Sequence, residues 1–521
     1  MSDMNARRTY RNPVVSGFFP DPSAVRVEED FYMVNSTFQF FPAIVISHSR
    51  DLVHWEIIGH AVTESEWLDL SDLADSHGIW APDISYHGGF FHIYATLRLN
   101  NPSEGVRAPL RRQIMVKSDR PEGPYSKPVF LDVDNIDPSH FIDDDGSRYM
   151  VIAPGATLVR LSADGAAVAA EPVQAWPGTG LKAPEGPHIL KKDGWYYAIL
   201  AEGGTGFGHS VTVARSRRLH GSYEACPFNP VLTQKDPQAA IQRSGHGKLV
   251  QTSAGDWWML YLCGRTNGGM YTTLGRETGL DPVRWTDDGW FTVNGGAGPS
   301  QIQTAPNLPD HQYSEAFRDD FDSPRLALNW QFVRNPDPGS WSLAERPGFY
   351  RIWTGSEDLD SIRAKNTLLR REKHHRYTAS LRMEFTPRSQ AEQAGLTCYY
   401  GIRNHIKLFL CNDGGPKIRL VENRNGTASR LGEIEGGAGK ALLLRVETMG
   451  QTRAFSASCD GGSWRPVGEV RDSRFLSDEG VLEGKHHTGT MVGMFANNGG
   501  SGARIPADFD WFDYSFPQAE P

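Results

Sequence analysis

Short runs of aromatic and branched apolar residues recur along the first 300 residues of the chain. Each run has the length and composition of a buried β-strand, and turn-forming residues separate the runs. The runs are 30–34, 89–94, 147–151, 194–198 and 256–260. Their recurrence at intervals of about 45 to 60 residues predicts a radial repeat, most naturally a β-propeller with one sheet per copy.

Further strands are predicted between these runs. Third strands are predicted at 43–49, 112–118, 156–162 and 210–216, and edge strands at 54–58 and 125–129. Each of these segments is short and apolar and ends in turn residues, as expected for strands of a small antiparallel sheet. Four strands in each of five copies predict a five-bladed propeller, to which we assign residues 1–305.

A polar residue, acidic in four of the five copies, lies a short way upstream of each aromatic run. These residues are Asp21, Asp83, Asp137, Glu185 and His246. The first strand of every propeller blade lines the central channel, so one such residue per blade would gather around a single axis. Carboxylates that are distant in sequence would then meet in one small pocket, which makes an enzyme the leading hypothesis.

The pattern changes after the propeller repeats. Residues 296–312 are rich in Gly and Pro, and we assign the linker to 306–315 and a second domain to 316–521. Polar and apolar residues alternate in 417–422, 442–447 and the closing 507–514. Short alternating strands separated by turns predict a β-sandwich with little helix. The expected fold class is therefore all-β.

Composition narrows the class of protein. The chain has 521 residues, a formal net charge of −9 and no basic tract, so nucleic acid is not an expected partner. Its five cysteines are scattered without a metal or disulfide spacing. No apolar run is long enough to span a membrane, and residues 1–11 lack the apolar core of a signal peptide. We therefore expect a cytoplasmic location and no membrane partner.

Asp21, Asp137 and Glu185 each lie directly beside a proline. A lone Asp-Pro is usually an ordinary turn, but a turn does not require an acid at the same phase of successive repeats. Glycoside hydrolysis needs one acid to protonate the leaving oxygen and one base to activate water. A third carboxylate nearby would raise the pKa of the acid and keep it protonated.

Several segments together resemble glycoside hydrolase family 43, and in particular its β-xylosidases with an appended sandwich domain. The segments are 12–23, 36–38, 78–83, 135–139, 185–188 and 274–278. The resemblance covers nearly the whole chain in the family's order. It implies a five-bladed propeller followed by a concanavalin-like jelly roll, an inverting mechanism, and exo-action on xylose or arabinofuranose units.

The resemblance also implies roles for individual residues. Asp21 matches the general base, Glu185 the general acid, and Asp137 the residue that modulates the pKa of the acid. Arg276 matches the arginine that holds sugar hydroxyls and the neighbouring carboxylate. The segment before the acid, 182–184, reads Lys-Ala-Pro and departs from the family pattern, which bears on the shape of the leaving-group side.

Other residues are candidates for contact with the substrate. Phe38 and Trp80 are expected to form aromatic walls of the sugar pocket, with plain core packing as the alternative. Ala81 follows Trp80, and Thr205 lies in a glycine-rich loop at the expected rim. Phe495 lies in 488–502, which we expect to be a sandwich loop that closes the pocket; the alternative is a turn between two strands.

Several histidines are candidate metal ligands. His246 resembles the family's axial histidine, which faces either a water-bound calcium ion or water alone. No cofactor is expected to be required; the alternative is a structural Ca²⁺ in the channel, which His246 would face through water. The pairs at 374–375 and 486–487 lack metal-ligand spacing, so we expect them to be solvated.

These observations predict an exo-acting, inverting hydrolase that releases xylose from the non-reducing ends of β-1,4-xylo-oligosaccharides. An α-L-arabinofuranosidase, or one enzyme with both activities, is the main alternative. A non-catalytic carbohydrate-binding protein is the remote alternative, and it does not explain the recurring acids. The family resemblance also suggests a homo-oligomer, either a dimer or a tetramer.

Overall fold

The computed structural model describes residues 8–102, 110–437, 441–484, 486–502 and 504–517. Within these ranges the chain forms β-strands and three short 3-10 turns, at Ser65–Trp67, Asn294–Gly296 and Arg474–Leu476. No helix in these ranges is long and apolar enough to cross a membrane. The described residues do not include 1–7 and 518–521, which are the outer ends of the two assigned domains. They therefore include only part of 1–11, the segment in which a signal peptide was looked for.

The first domain contains the strands up to residue 304. They are β1 (Thr9–Arg11), β2 (Ser23–Val27), β3 (Asp30–Asn35), β4 (Phe40–Phe41), β5 (Ala43–Ser49), β6 (Glu56–Val62), β7 (Gly78–His87), β8 (Phe90–Arg98), β9 (Arg111–Ser118), β10 (Val129–Leu131), β11 (Ser139–Ile142), β12 (Arg148–Ile152), β13 (Ala156–Arg160), β14 (Val173–Trp176), β15 (Glu185–Lys192), β16 (Trp195–Glu202), β17 (Ser210–Ser216), β18 (Glu224–Ala225), β19 (Leu232–Thr233), β20 (Ile241–Gln251), β21 (Trp257–Arg265), β22 (Glu277–Trp285), β23 (Phe291–Val293) and β24 (Ile302–Thr304).

All of these strands except β1, β4 and β24 form five antiparallel sheets arranged in a ring. The sheets, blades 1 to 5, are β2-β3-β5-β6, β7-β8-β9-β10, β11-β12-β13-β14, β15-β16-β17-β18 with β19 also on β17, and β20-β21-β22-β23. The first strand of each blade contacts the first strand of the next, and β20 contacts β2, so the ring is closed. The short pair β1 and β24 joins the two ends of the domain. The first strands therefore surround a central channel.

Apolar residues fill the space between neighbouring blades. Successive side chains of a strand point to opposite faces, so one aromatic strand supplies two interfaces. In β16, the ring of Tyr196 packs against Phe141 of blade 3, whereas the ring of Tyr197 packs against Trp285 of blade 5. Similar clusters lie between the other neighbouring blades. This explains why the recurring aromatic run is the second strand of every blade.

The second domain is a two-sheet sandwich. Its strands are β25 (Arg318–Asp319), β26 (Phe332–Val333), β27 (Trp341–Ser342), β28 (Tyr350–Trp353), β29 (Thr367–Arg371), β30 (Arg376–Glu384), β31 (Gln393–Gly401), β32 (Asn404–Asn412), β33 (Pro416–Arg424), β34 (Thr427–Glu435), β35 (Ala441–Met449), β36 (Thr452–Ser458), β37 (Arg465–Val470), β38 (Met491–Asn497) and β39 (Pro506–Ser515). One sheet has the order β27-β28-β39-β30-β35-β36-β37 with β25 on β39, and the other β29-β38-β31-β32-β33-β34. Their inner faces share one apolar core. The expected all-β propeller-plus-sandwich class is confirmed.

The two domains share a buried interface. Strand β26 of the sandwich pairs with β4 of the propeller, and an apolar cluster joins Phe18 and Phe40 to Leu369 and Phe409. Buried ion pairs, including Arg334 with Asp75 at 2.9 Å, accompany the apolar contacts. The sandwich is therefore packed directly on the propeller, and residues 305–317 connect the domains without a strand.

Candidate active site

A small pocket opens at one end of the propeller channel. It is a cavity of about 140 Å³, lined by Asp21, Phe38, Trp80, Ala81, Ile136, Asp137, Glu185, Thr205, His246, Arg276 and His487. Four of the five recurring polar residues line it, and Asp83 is the exception. The structure thus brings together all three carboxylates that the sequence singled out.

The backbone at these positions is unusual. Asp21, Ala81, Asp137 and His246 all have positive φ angles, of 53°, 39°, 63° and 50°. Non-glycine residues rarely adopt this left-handed region, and such strain is concentrated at functional sites. Register shifts also interrupt the pairing of the first strands β7, β15 and β20 near the pocket. Bulges of this kind re-aim side chains, here toward the channel axis.

Asp21 is buried among hydrogen-bond donors and cations. The Ser36 hydroxyl donates to its Oδ2 at 2.6 Å, and Arg276 Nη1 donates to its Oδ1 at 3.2 Å. His246 Nδ1 lies 3.6 Å from the same Oδ1. Burial alone would raise the pKa of Asp21, but Arg276 and His246, together with the Ser36 hydrogen bond, hold it below its usual value. Asp21 is therefore a carboxylate at neutral pH.

Glu185 and Asp137 both line the pocket, and the charge of Glu185 acts on Asp137. Burial raises the pKa of Glu185 to about 7; Arg276 opposes this rise and Asp21 adds to it. Burial, and then the charges of Glu185 and Asp21, raise the pKa of Asp137 well above its usual value. Like charges this close do not both ionise readily, so the pair retains a proton near neutral pH.

One backbone contact favours Glu185 as the holder of that proton. The amide of Gly186 donates to Asp137 Oδ2 at 2.9 Å, which stabilises the ionised form of Asp137. Gly186 has a φ of +59°, and a Cβ atom there would lie 2.9 Å from the ring of His246. The residue after Glu185 must therefore be glycine to bring its amide to Asp137.

Arg276 connects several parts of the site. Its Nη1 donates to Asp21 and also to the Thr205 hydroxyl at 3.1 Å, and its Nε donates to the carbonyl of His487 at 3.1 Å. Its guanidinium lies over the ring of Phe38, 5.3 Å from the centroid. Arg276 thus connects Asp21 to the glycine-rich loop that carries Thr205 and to the sandwich.

Aromatic residues form one wall, and a short hydrogen-bond chain runs behind it. The rings of Phe38 and Trp80 lie 5.8 Å apart, and Trp80 Nε1 donates to the Ser76 carbonyl. The amide of Ala81 donates to Ser36 Oγ at 2.6 Å. Because Ser36 in turn donates to Asp21, Ala81 helps to orient that carboxylate as well as lining the pocket.

Asp83 has a different role from the acids in the pocket. Lys248 Nζ donates to its Oδ1 at 2.7 Å, and the amide of His140 donates to its Oδ2 at 2.8 Å. Lys248 also lies 3.2 Å from His188 Nδ1. Asp83 is therefore neutralised by an ammonium group and braces the channel.

The channel beside His246 does not fit a calcium ion. The ammonium of Lys248 already supplies a positive charge there, and calcium requires six to eight oxygen ligands. His188 Nε2 is buried without a protein partner, but it is a nitrogen atom and calcium prefers oxygen ligands. Among the described residues, the three-residue groups with metal-ligand geometry lie outside the pocket: His48, Glu56 and His311, and Asp51, His54 and Asp310.

Phe495 does not line the pocket. It lies within β38, is 1% exposed, and packs against Phe409 in the interface between the domains. Residues 491–497 of the predicted closing loop are a buried central strand, since β38 pairs with both β29 and β31. The expectation that Phe495 contacts substrate was wrong on this geometry.

The sandwich reaches the pocket through His487 instead, a residue expected from the sequence to be solvated. Ile136, beside Asp137, was also missed. The other paired histidines are not simply solvated either: both ring nitrogens of His375 are buried, and burial lowers its pKa to about 3. No local motif identifies His487, because Arg276, which brings it to the pocket, is distant in sequence.

Comparisons with known proteins agree with this architecture. Residues 10–291 match the family described as Glycosyl hydrolases family 43, and residues 318–515 match the Beta xylosidase C-terminal Concanavalin A-like domain. A Vibrio sp protein named Xylan 1,3-beta-xylosidase is 36% identical over 97% of this chain and 99% of its own. A Bacteroides ovatus protein named Non-reducing end alpha-L-arabinofuranosidase is 36% identical over 98% of this chain and 95% of its own.

A solved structure is more similar still. The crystal structure of a family 43 protein from Bacillus licheniformis is 60% identical to this chain and has a TM-score of 0.96. The match covers 98% of this chain and 100% of the other. The similarity therefore spans the propeller, the sandwich and the arrangement of the two.

Proposed function

Because the chain belongs to glycoside hydrolase family 43, we propose that it removes single xylosyl units from the non-reducing ends of β-1,4-xylo-oligosaccharides, with inversion. The observation that carries this proposal is the opposite pKa shifts of two carboxyl groups in one pocket. The pKa of Asp21 is lowered, whereas that of Glu185 is raised to about 7. A base and an acid that coexist near neutral pH are what single-step glycoside hydrolysis requires.

In the proposed reaction, Asp21 accepts a proton from a water molecule while the water oxygen bonds to the anomeric carbon. The bond from that carbon to the leaving oxygen breaks, and Glu185 donates its proton to this oxygen. Asp137 positions Glu185 and keeps it protonated through its charge. Arg276 orients Asp21 and stabilises its ionised form. The attack and the departure occur on opposite faces, so the configuration is inverted.

The pocket supports action on a single terminal pentose. Its volume of about 140 Å³ is well below the roughly 300–1,000 Å³ of pockets for drug-sized ligands. Phe38 and Trp80 offer aromatic surface for the apolar face of a sugar ring. A hexose carries an additional CH₂OH group, which a small pocket of this kind disfavours.

An α-L-arabinofuranosidase activity is the second candidate, supported by the 36% identical Bacteroides ovatus protein of that name. Turnover of the nitrophenyl β-xyloside and of the nitrophenyl α-arabinofuranoside separates the two. We expect kcat/KM to favour the xyloside. A preference for the arabinofuranoside would replace the first proposal with the second, and xylobioses with β-1,4 and β-1,3 linkages would test the linkage.

Proton NMR of the first product tests the mechanism. Inverting hydrolysis of a β-xyloside must release α-xylose first, and the β-anomer then appears by mutarotation. Initial release of β-xylose would contradict the single-displacement scheme.

We further propose that the activity needs no metal ion, because the Lys248 ammonium supplies a positive charge in the channel. Treatment with a chelator should leave the rate unchanged. Loss of activity that added Ca²⁺ restores would contradict this proposal.

A further inference from the structure

One side chain of the sandwich enters the pocket of the propeller. His487 lies between the 3-10 turn Arg474–Leu476 and strand β38, and it lines the cavity beside Arg276 and Thr205. Its side chain is 31% exposed, which places it at the mouth rather than at the floor. The mechanism proposed above assigns it no role.

A buried carboxylate holds His487 at two points. The His487 amide donates to Asp478 Oδ1 at 2.7 Å, and its ring Nδ1 lies 3.3 Å from Asp478 Oδ2. Asp478 also accepts from Arg243 of the propeller at 2.8 Å and from the hydroxyl of Tyr400. Burial alone would raise the pKa of Asp478, but Arg243, followed by His487, holds it well below its usual value.

This contact determines the chemistry of the ring. Because Asp478 is a carboxylate, it accepts a hydrogen, and the neutral imidazole of His487 therefore carries its proton on Nδ1. Nε2 then has a free lone pair and acts as a hydrogen-bond acceptor. Sugar hydroxyls are donors that such an acceptor can bind.

The backbone around His487 is attached to the segment that carries Arg276. The His487 carbonyl accepts from Arg276 Nε, and the Thr490 amide donates to the Thr273 carbonyl at 3.0 Å. Gly489 packs so closely that an added Cβ atom would lie 2.3 Å from the Leu274 carbonyl oxygen. The imidazole is thus placed with little freedom relative to the pocket.

We propose that His487 is a specificity-determining residue that accepts, at Nε2, a hydrogen bond from a hydroxyl of the terminal sugar. Asp478 is the positioning residue that fixes its tautomer and orientation. Through this pair the sandwich contacts the sugar at the non-reducing end of the chain. This inference rests on the proposed function and adds a substrate contact to it.

Two substitutions at His487 test the contact. H487F keeps an aromatic ring but removes the acceptor, so we expect KM for xylobiose to rise about tenfold with kcat little changed. H487Q retains an amide acceptor and should recover most of the loss. The matched control is H486F: the neighbouring ring stacks on Tyr400 at 5.1 Å and does not line the pocket. That variant should behave like the wild type.

Deoxy substrates distinguish a direct contact from a general disturbance. The wild type should lose about tenfold in kcat/KM on either the 3-deoxy or the 4-deoxy phenyl β-xyloside, whichever lacks the contacted hydroxyl. H487F should have the same kcat/KM on that analogue as on the parent phenyl β-xyloside, because the contact is already absent. An unchanged KM in H487F, or an equal penalty on the parent and both analogues, would overturn the proposal.

The role of Asp478 is tested by combining variants. D478N should raise KM in the wild-type background but add little in the H487F background, because both changes remove the same contact. Additive effects would show a purely structural role for Asp478. If the wild type hydrolyses xylobiose but H487F retains its KM, only this inference fails. If the wild type does not hydrolyse xylosides, the proposed function itself fails.

Discussion

The two sides of the pocket place chemically similar groups in opposite surroundings. On the base side, Asp21 is surrounded by Ser36, Arg276 and His246, and its pKa falls. On the acid side, Glu185 is buried near other carboxyl groups, and its pKa rises to about 7. The neighbours of each buried carboxyl group therefore decide whether it accepts or donates a proton.

Asp83 extends the comparison. It occupies the same phase of the repeat as the pocket acids, but Lys248 neutralises it and it lines no part of the pocket. The repeat thus supplies an ionisable group in, or just before, the first strand of every blade, and the surroundings then determine the role of each group.

The largest expected effect is loss of the base side. D21N should lower kcat/KM by about 10²–10⁴-fold on both xylobiose and nitrophenyl xyloside, because water must attack in either reaction. Steady-state kinetics on folded protein, verified by circular dichroism, measures this. If Asp21 is the general base, kcat/KM must fall by similar factors on the two substrates. A loss confined to xylobiose would instead indicate that Asp21 acts as the general acid.

The acid side should respond differently to the leaving group. E185Q should lower kcat/KM on xylobiose by about 10²–10⁴-fold, because an alkoxide leaves poorly without a proton. Nitrophenolate leaves without protonation, so the same variant should lose much less on nitrophenyl xyloside. Equal losses on both substrates would contradict the role of Glu185 as general acid.

The pH dependence sharpens the contrast between the two sides. In the wild type, kcat/KM should fall as pH rises through about 7, where Glu185 loses its proton. D137N removes a neighbouring negative charge, so ionised Glu185 becomes more favourable and the alkaline limb should move to lower pH by about one unit. An alkaline limb that stays in place, or moves upward, would remove Asp137 from this role.

The smallest effect on the rate is expected in the channel. K248M leaves Asp83 buried without its ammonium partner, which should lower the free energy of unfolding by about 3–5 kcal/mol. Because neither residue lines the pocket, kcat/KM at low temperature should change only a few-fold. Denaturant unfolding and kinetics on the same sample test both statements, and a rate loss as large as that of D21N would place Lys248 in the reaction.

Strand positions were predicted best where a strand is buried on both faces. The predicted third strands 43–49 and 210–216 coincide with β5 and β17. The edge strand predicted at 125–129 lies instead at β10, Val129–Leu131. An outer strand pairs on one side only, so few contacts constrain which residues join the sheet.

In the second domain, the local sequence pattern did not predict strand β38 or the position of His487. The run that contains Phe495 ends in an Asn- and Gly-rich segment, which resembles a loop in sequence, yet β38 is a central strand. His487 had no distinguishing neighbours in sequence. Its function depends on Asp478, Arg276 and Arg243, of which the last two lie more than 200 residues away.

The sequence by itself determined the repeat, the all-β architecture and the placement of one ionisable residue per blade, because strand period and turn residues are local properties. Only the tertiary structure decided which carboxyl group is ionised, where Lys248 points and which side chain of the sandwich enters the pocket. Those outcomes depend on burial and on charges brought together from distant segments, and such interactions act through space rather than along the chain.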